Sequence, residues 1–248
     1  MMDPRPVLAA AFALGLAVTP ARAIVGGMPA GAEMAAQTVM IVSTRGAACT
    51  GAVLAPDLVL TAAHCVAPPA DYAVALVGSG APELLPAAKI AVHPAYDAEQ
   101  FRTRRPTPDL ALVKLASPLP ARFGRATLPG AGSGLPPKGA QFDIAGFGVT
   151  ADGAMRSAGS LRTVALPSIG TTGGIMVRLS RPEGAAGACT GDSGGPAFRD
   201  GRVDGIVGWV TGPGGTRGCG GVTGITLVAL QRDWILPTAR ALGSPIGD

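Results

Sequence analysis

Three short segments carry side chains that can do nucleophilic chemistry together. They are Thr61-Ala62-Ala63-His64-Cys65, Pro108-Asp109-Leu110-Ala111-Leu112-Val113 and Gly191-Asp192-Ser193-Gly194-Gly195-Pro196. A serine hydroxyl is a poor nucleophile at neutral pH and needs a base to take its proton. An imidazole can take that proton and return it to a leaving group. A carboxylate on the other ring nitrogen holds the imidazole in the right tautomer and stabilises the cation that forms. The chain has two histidines, His64 and His93. His93 stands in a loop-like His-Pro-Ala-Tyr segment, so His64 is the candidate base, Asp109 its partner and Ser193 the nucleophile. The glycines beside Ser193 need no Cβ clearance, which lets the backbone turn two N–H groups towards one point. Singly, each segment also reads as plain structure: a histidine beside an apolar strand, an aspartate in a turn, a serine in a glycine-rich turn. Their order in one chain, with Ile24-Val25-Gly26-Gly27 ahead of them, makes the combination specific.

The elements that must position these groups read as short strands. Apolar stretches at Thr38–Ser43, Ala52–Ala55, Asp57–Ala62, Tyr72–Val77, Leu110–Leu115, Phe142–Gly146, Leu161–Leu166, Ile175–Leu179, Pro196–Phe198, Val203–Val210 and Gly224–Val228 are separated by Gly and Pro turn signals. So many strands point to an all-β sandwich or barrel class. The one helical pattern runs from Val228 to Leu242, where Leu230, Trp234 and Ile235 repeat at helical spacing; Pro237 is expected to end or kink it. Leu128–Gly139 reads as a linker and divides the chain nearly in half. Of 248 residues, 48% are hydrophobic and 15% charged, which excludes intrinsic disorder. Aromatics make up only 4%, so the core must be built from Val, Leu, Ile and Ala.

Residues 1–23 read as a signal peptide. Arg5 opens it, Val7–Val18 is apolar, Pro20 breaks the run, and Ala21-Arg22-Ala23 fits the small-x-small rule of signal peptidase. The apolar run is too short to span a bilayer, so a secreted or periplasmic protein with no stable membrane anchor is expected. An exported chain with Cys49, Cys65, Cys189 and Cys219 favours disulfides, for which three pairings exist. No CxxC pair accompanies the two histidines, so no metal or other cofactor is expected. The net charge of +4 is dispersed and forms no basic stripe, so no nucleic-acid partner is expected either. Arg102, Arg104 and Arg105 precede Asp109 and read as a solvated loop able to attract acidic groups.

The segments quoted above resemble the trypsin/chymotrypsin family of serine proteases from Ile24 to about Ile235. His93-Pro94-Ala95-Tyr96, Gly146-Phe147-Gly148 (where the family usually has Trp in the middle) and Trp234-Ile235 agree. The resemblance implies two six-stranded antiparallel β-barrels packed face to face with a C-terminal helix, here a first barrel in 24–130 and a second, with the helix, in 131–248. It implies a secreted serine endopeptidase acting through an acyl-enzyme on protein or peptide substrates, as a monomer. His64, Asp109 and Ser193 would form the triad, and the amides of Gly191 and Ser193 the oxyanion hole. A freed ammonium on Ile24 would pair with Asp192. The disulfides would be Cys49–Cys65 and Cys189–Cys219.

Several positions depart from the family pattern. Zymogens usually carry Arg or Lys before the Ile, whereas Ala23 stands here; signal peptidase cutting after Ala23 would expose Ile24 directly. Gly187 matches the base of the primary pocket, where trypsin-like specificity needs Asp. Val210 replaces the usual Gly beside Trp209 and should narrow the pocket, Gly224 matches the other wall (counting back from Trp234 without gaps puts Thr223 there instead), and small or medium apolar side chains are the expected preference. Gly208 replaces the Ser whose hydroxyl commonly supports the triad aspartate. Near the family's calcium loop, Ala81–Lys89, Glu83 is the single acid, so calcium is not expected. The rival readings are a non-catalytic binding protein on the same scaffold and an esterase-like hydrolase using the same nucleophile.

Overall fold

The computed structural model describes residues 24–77, 82–103, 105–181 and 185–247. The expected signal peptide and Arg104 lie outside the described residues. The chain begins with β1 (Met28–Pro29) and a short helix α1 (Ala32–Gln37), then enters a closed antiparallel barrel. Its strands are β2 (Thr38–Ser43), β3 (Ala48–Ala55), β4 (Leu58–Thr61), β5 (Tyr72–Leu76), β6 (Glu83–Val92) and β7 (Ala111–Leu115), in the order β2-β3-β4-β7-β6-β5. Two one-turn helices interrupt it, α2 (Ala63–Val66) and α3 (Gln100–Thr103). A second barrel follows: β8 (Gln141–Gly146), β9 (Arg162–Thr172), β10 (Met176–Leu179), β11 (Pro196–Arg199), β12 (Arg202–Val210) and β13 (Thr223–Leu227). It closes through β8–β9 pairing, and β1 adds to β9.

Alternation decides which face is buried. In β8, Phe142 and Ile144 point inward while Gln141 and Asp143 are exposed. In β9, Arg162, Val164, Leu166 and Ser168 form the buried set. The first core is aliphatic, built on Val39, Ile41, Val53, Leu58, Leu60, Val74 and Leu112. The second gathers Phe142, Ile144, Leu166, Val177, Leu179, Val207 and Ile225.

Each barrel also takes in residues from the opposite end of the chain. Ile24 is fully buried in the second core. The C-terminal helix α4 (Arg232–Ala241) puts Ile235 and Ala239 into the first. Trp234 lies 4.7 Å from the His93 ring, and beyond the helix the Ser244 hydroxyl donates to Asp57 Oδ1 at 2.6 Å and accepts from Lys114. Arg232 donates to the Pro129 carbonyl at 2.8 Å, which ties down the linker read at Leu128–Gly139.

Several elements differ from the sequence reading, which expected neither β1 nor the short helices α1, α2 and α3. β6 was not expected, because Pro86 falls inside it and only Leu85 is buried along its length; Pro is tolerated where its missing N–H is not needed by the ladder. The stretch Val228–Leu242 is a 3-10 turn at Ala229–Gln231 followed by α4, not one helix. Pro237 does not end α4, whose buried Ile235 and Ala239 anchor it to the first barrel on both sides of the proline. Ile235→Ala should therefore cost about 2–4 kcal/mol, through lost burial and the cavity left behind. Urea unfolding should show a lower midpoint at unchanged slope.

Candidate active site

β4 ends at Thr61, and the chain turns at once into α2, which carries His64 over the edge of the first barrel. Asp109 precedes β7 and is fully buried. Its carboxylate holds His64 at two points: Oδ2 accepts from Nδ1 at 2.7 Å, and Oδ1 accepts from the His64 backbone N–H at 2.9 Å. The ring is thereby fixed with Nδ1 as donor and Nε2 as the nitrogen able to take a proton. Nε2 lies 3.7 Å from the Cys65 sulfur, and the Ser193 carbonyl lies 3.6 Å from that same sulfur. The Ser193 loop of the second barrel thus meets the imidazole of the first across the Cys49–Cys65 disulfide. The other histidine is otherwise engaged: His93 accepts from the Ala95 N–H and packs on Trp234, and burial lowers its pKa against the opposing pull of Gln231.

The Ser193 loop is pinned by Thr50, a fully buried β3 residue that no sequence signal singles out. Its N–H donates to the Ser193 carbonyl at 2.8 Å, and its hydroxyl donates to the Gly191 carbonyl at 2.8 Å and accepts from the Phe147 N–H at 3.1 Å. The Thr61 hydroxyl donates to the Thr50 carbonyl at 2.8 Å. A Cβ on Gly194 would overlap Thr61 Oγ1 and the Thr50 carbonyl, and Gly194 has φ of +80°. Gly191 has φ of +97°, and a Cβ there would sit 2.8 Å from the Gly148 Cα. Among the described residues, neither the Gly191 nor the Ser193 N–H donates to any protein group. Two donors on one turn beside a serine are what a developing oxyanion needs.

Asp192 is fully buried behind that turn. Oδ1 accepts from the Gly148 N–H and Oδ2 from the Cys189 N–H, each at 2.8 Å. The carboxylate fits because its neighbours at 146 and 148 are glycines: a Cβ on either would run into it. Burial pushes its pKa up to about 7 even though both backbone donors pull it down. Ile24 is seated in the same barrel at φ of +57°, an unusual conformation for a β-branched residue. Val25 exchanges hydrogen bonds with Gly187. While residue 23 remains attached, the Ile24 nitrogen is an uncharged amide.

The expected pocket residues divide. The β12–β13 register pairs Val210 with Thr223 and Trp209 with Gly224. A Cβ on Gly224 would overlap the Trp209 indole, so Gly224 lies beneath that ring. Thr223 is the side chain that reaches Gly187: its Oγ1 would lie 3.0 Å from a Cβ there and accepts from the Ala188 N–H at 3.0 Å. Of the two, Thr223 and not Gly224 faces Gly187, in agreement with counting back from Trp234 without a gap. The second disulfide joins Cys189 to Cys219. Among the described residues, one cluster of three potential metal ligands exists, Cys49, His64 and Cys65, and both its sulfurs are in the disulfide. Arg102 pairs with Glu99 on the exposed surface.

Two outcomes test this geometry. Thr50→Val should cost about 1–3 kcal/mol, because it strands the Gly191 carbonyl and the Phe147 N–H in a buried site; Thr50→Ser should recover most of it, as read by thermal unfolding. In the chain with residue 23 attached, Asp192 titrates near 3.8 unfolded and near 7 folded. The folded state then binds the extra proton between these values, so stability is full below about pH 4 and falls by roughly 4 kcal/mol as pH rises through 7. Asp192→Asn should flatten that slope in urea titrations run across the range.

Comparison with known proteins agrees with this architecture. The family model described as Trypsin matches residues 24–235. A dog protein named Serine protease 1 is 30% identical over 181 residues, covering 66% of this chain and 70% of the relative. Human Kallikrein-14 is 30% identical over 212 residues, covering 77% and 74%, and rat Cationic trypsin-3 is 30% identical over 210 residues, covering 78% and 80%. With paired antiparallel barrels and a match across nearly all the described residues, the chain belongs to the trypsin family and is a trypsin-like serine endopeptidase.

Proposed function

We infer that this endopeptidase cuts peptide bonds through an acyl-enzyme formed on Ser193, with a preference for small apolar residues on the acyl side. The observation that carries the reading is the two-point hold of Asp109 on His64, beside a serine turn with two N–H donors that no group among the described residues accepts. Ser193 Oγ attacks the scissile carbonyl carbon while His64 Nε2 takes the hydroxyl proton. The carbonyl oxygen becomes an oxyanion facing the Gly191 and Ser193 N–H groups. The C–N bond then breaks, His64 delivers its proton to the leaving amine, and the acyl group remains on Ser193. Water enters, gives a proton to His64, attacks the ester carbon, and Ser193 leaves with the proton returned.

The preference rests on Val210 and Thr223, which pair across β12 and β13, with Thr223 facing Gly187. Their branched side chains fill space that a long or aromatic side chain would need. Gly187 offers no carboxylate for Lys or Arg. The preference is expected to be graded, because one methylene in such a pocket changes binding by only about 1–3 kcal/mol.

Export and activation follow from the same residues. Removal of 1–23 as a signal peptide converts the Ile24 amide into an ammonium, and the fully buried Asp192 carboxylate is the counter-charge we assign to it. An ion pair there would hold the Gly191–Ser193 turn in place. The domain division 24–130 and 131–248 belongs to this reading, with the active site between the halves.

A peptide library incubated with chain 24–248 should be cut after Ala, Val or Leu. Ser193→Ala should lower turnover by on the order of 10⁶-fold. Joint replacement of Val210 and Thr223 by Gly should move the preference towards larger side chains. N-terminal sequencing of the secreted protein should begin at Ile24. Cleavage after Arg or Lys would refute the pocket assignment and leave the mechanism standing. A folded chain that no serine-directed titrant labels would point to the non-catalytic scaffold instead.

A further inference from the structure

Among the described residues, both protein donors to the buried Asp109 carboxylate come from one residue, His64, and none comes from its far side. A carboxylate can accept more than two hydrogen bonds, and a buried anion short of donors is costly. Across from His64 runs β12, whose register slips between Val207 and Trp209, leaving Gly208 as the extra residue of a β-bulge. A Cβ built on Gly208 would lie 3.4 Å from Asp109 Oδ2, 3.9 Å from the Gly224 carbonyl and 3.9 Å from Thr226 Oγ1. The space above Gly208 is therefore bounded by an anion, a carbonyl and a hydroxyl. Strand parity explains the hydroxyl: Thr223, Ile225 and Leu227 share one face of β13, and Gly224 and Thr226 point the other way, towards Trp209 and Gly208. Thr226 is fully buried, and its Oγ1 has no protein partner. Such a group needs an explanation, and a polar niche with three convergent partners is what holds a structural water.

We propose that Thr226 is a positioning residue for the triad, holding a water above Gly208 that donates to Asp109 Oδ2. The water gives its protons to Asp109 Oδ2 and the Gly224 carbonyl and accepts from the Thr226 hydroxyl. This relay supplies from β13 the support that a side chain at position 208 would otherwise give, and it fixes the carboxylate that orients His64. The inference rests on the triad reading of Asp109 and His64.

The test uses chain 24–248 and separates packing from hydrogen bonding. Gly208 is outside the positive-φ set, and its nearest built contacts are ordinary van der Waals distances, so Gly208→Ala should fold normally. Its methyl group would displace the water, and kcat should fall about tenfold with KM nearly unchanged, the equivalent of one lost hydrogen bond to a charged group. Thr226→Val should do the same, Thr226→Ser should keep activity, and Gly208→Ser should restore the Thr226→Val chain by donating directly to Asp109. The double variant Gly208→Ala with Thr226→Val should be no worse than either single one. The low-field proton resonance of His64 Nδ1–H should shift in Gly208→Ala and Thr226→Val and return in the Gly208→Ser rescue. Unchanged kcat in Gly208→Ala, or a Thr226→Val loss that Gly208→Ser does not restore, overturns the proposal. If Ser193→Ala retains the parent's turnover, the triad reading fails instead, and the resonance still reports whether Thr226 reaches Asp109.

Discussion

The site depends on two backbones meeting with no room for a side chain between them. Gly194 of the second barrel lies against Thr50, Thr61 and Ala62 of the first so closely that even a methyl group would overlap. At that contact Thr50 bonds to Ser193 and Gly191, and Thr61 bonds back to Thr50. His64 follows three residues after Thr61, so the His64 and Ser193 segments are measured from one seam. A catalytic constellation needs placement to a fraction of an ångström. Backbone hydrogen bonds across a contact this tight provide it better than long side chains could. The Cys49–Cys65 bridge reinforces the seam, since Cys49 adjoins Thr50 and Cys65 adjoins His64.

The chain ends extend the same logic. Ile24 is buried in the second core, and Ile235 and Ala239 in the first. Neither barrel is completed by a contiguous stretch of chain, so separating them uncovers apolar surface on both. At about 25 cal/mol per Å² of apolar area, a few fully buried aliphatic side chains outweigh any single polar contact in the interface. Polar contacts then set direction rather than strength. Arg232 on the Pro129 carbonyl fixes the connecting segment, and Ser244 between Asp57 and Lys114 fixes the far end.

Much of this was legible in the sequence, and the reason is local. Strands such as Thr38–Ser43 and Phe142–Gly146 announce themselves by apolar residues between turn signals, and the barrel class follows from their number. The segments around His64, Asp109 and Ser193 are read from residue type, because the chemistry needs those groups and the glycines need that backbone. What escaped depends on partners far away in sequence. β6 hides its strand character behind Pro86 and a mostly exposed face. Thr50, Thr223 and Thr226 look like ordinary β-branched strand residues until the register shows what each hydroxyl faces. Gly224 and Thr223 differ by one position, and one position in a strand exchanges the two faces. No pattern within β13 alone says which of the two lies under Trp209.

Two fully buried carboxylates show how the surroundings assign a role. Asp109 and Asp192 are equally removed from water. Asp109 is bonded to a ring that can itself become a cation, so its charge is useful when the proton arrives on His64. Asp192 is bonded to two neutral N–H groups, and burial raises its pKa to about 7. Neutral donors stabilise an anion less than a cation does. Asp192 therefore holds a proton more readily than an exposed carboxylate while its neighbours are neutral, and a positive charge beside it would favour the anion. Under the activation proposed above, Ile24, packed in the same barrel, would supply that charge once residue 23 is gone. The glycines at 146, 148 and 191 let the carboxylate and the serine turn occupy adjoining space, so the buried carboxylate and the turn that carries the Gly191 and Ser193 N–H groups pack against the same backbone.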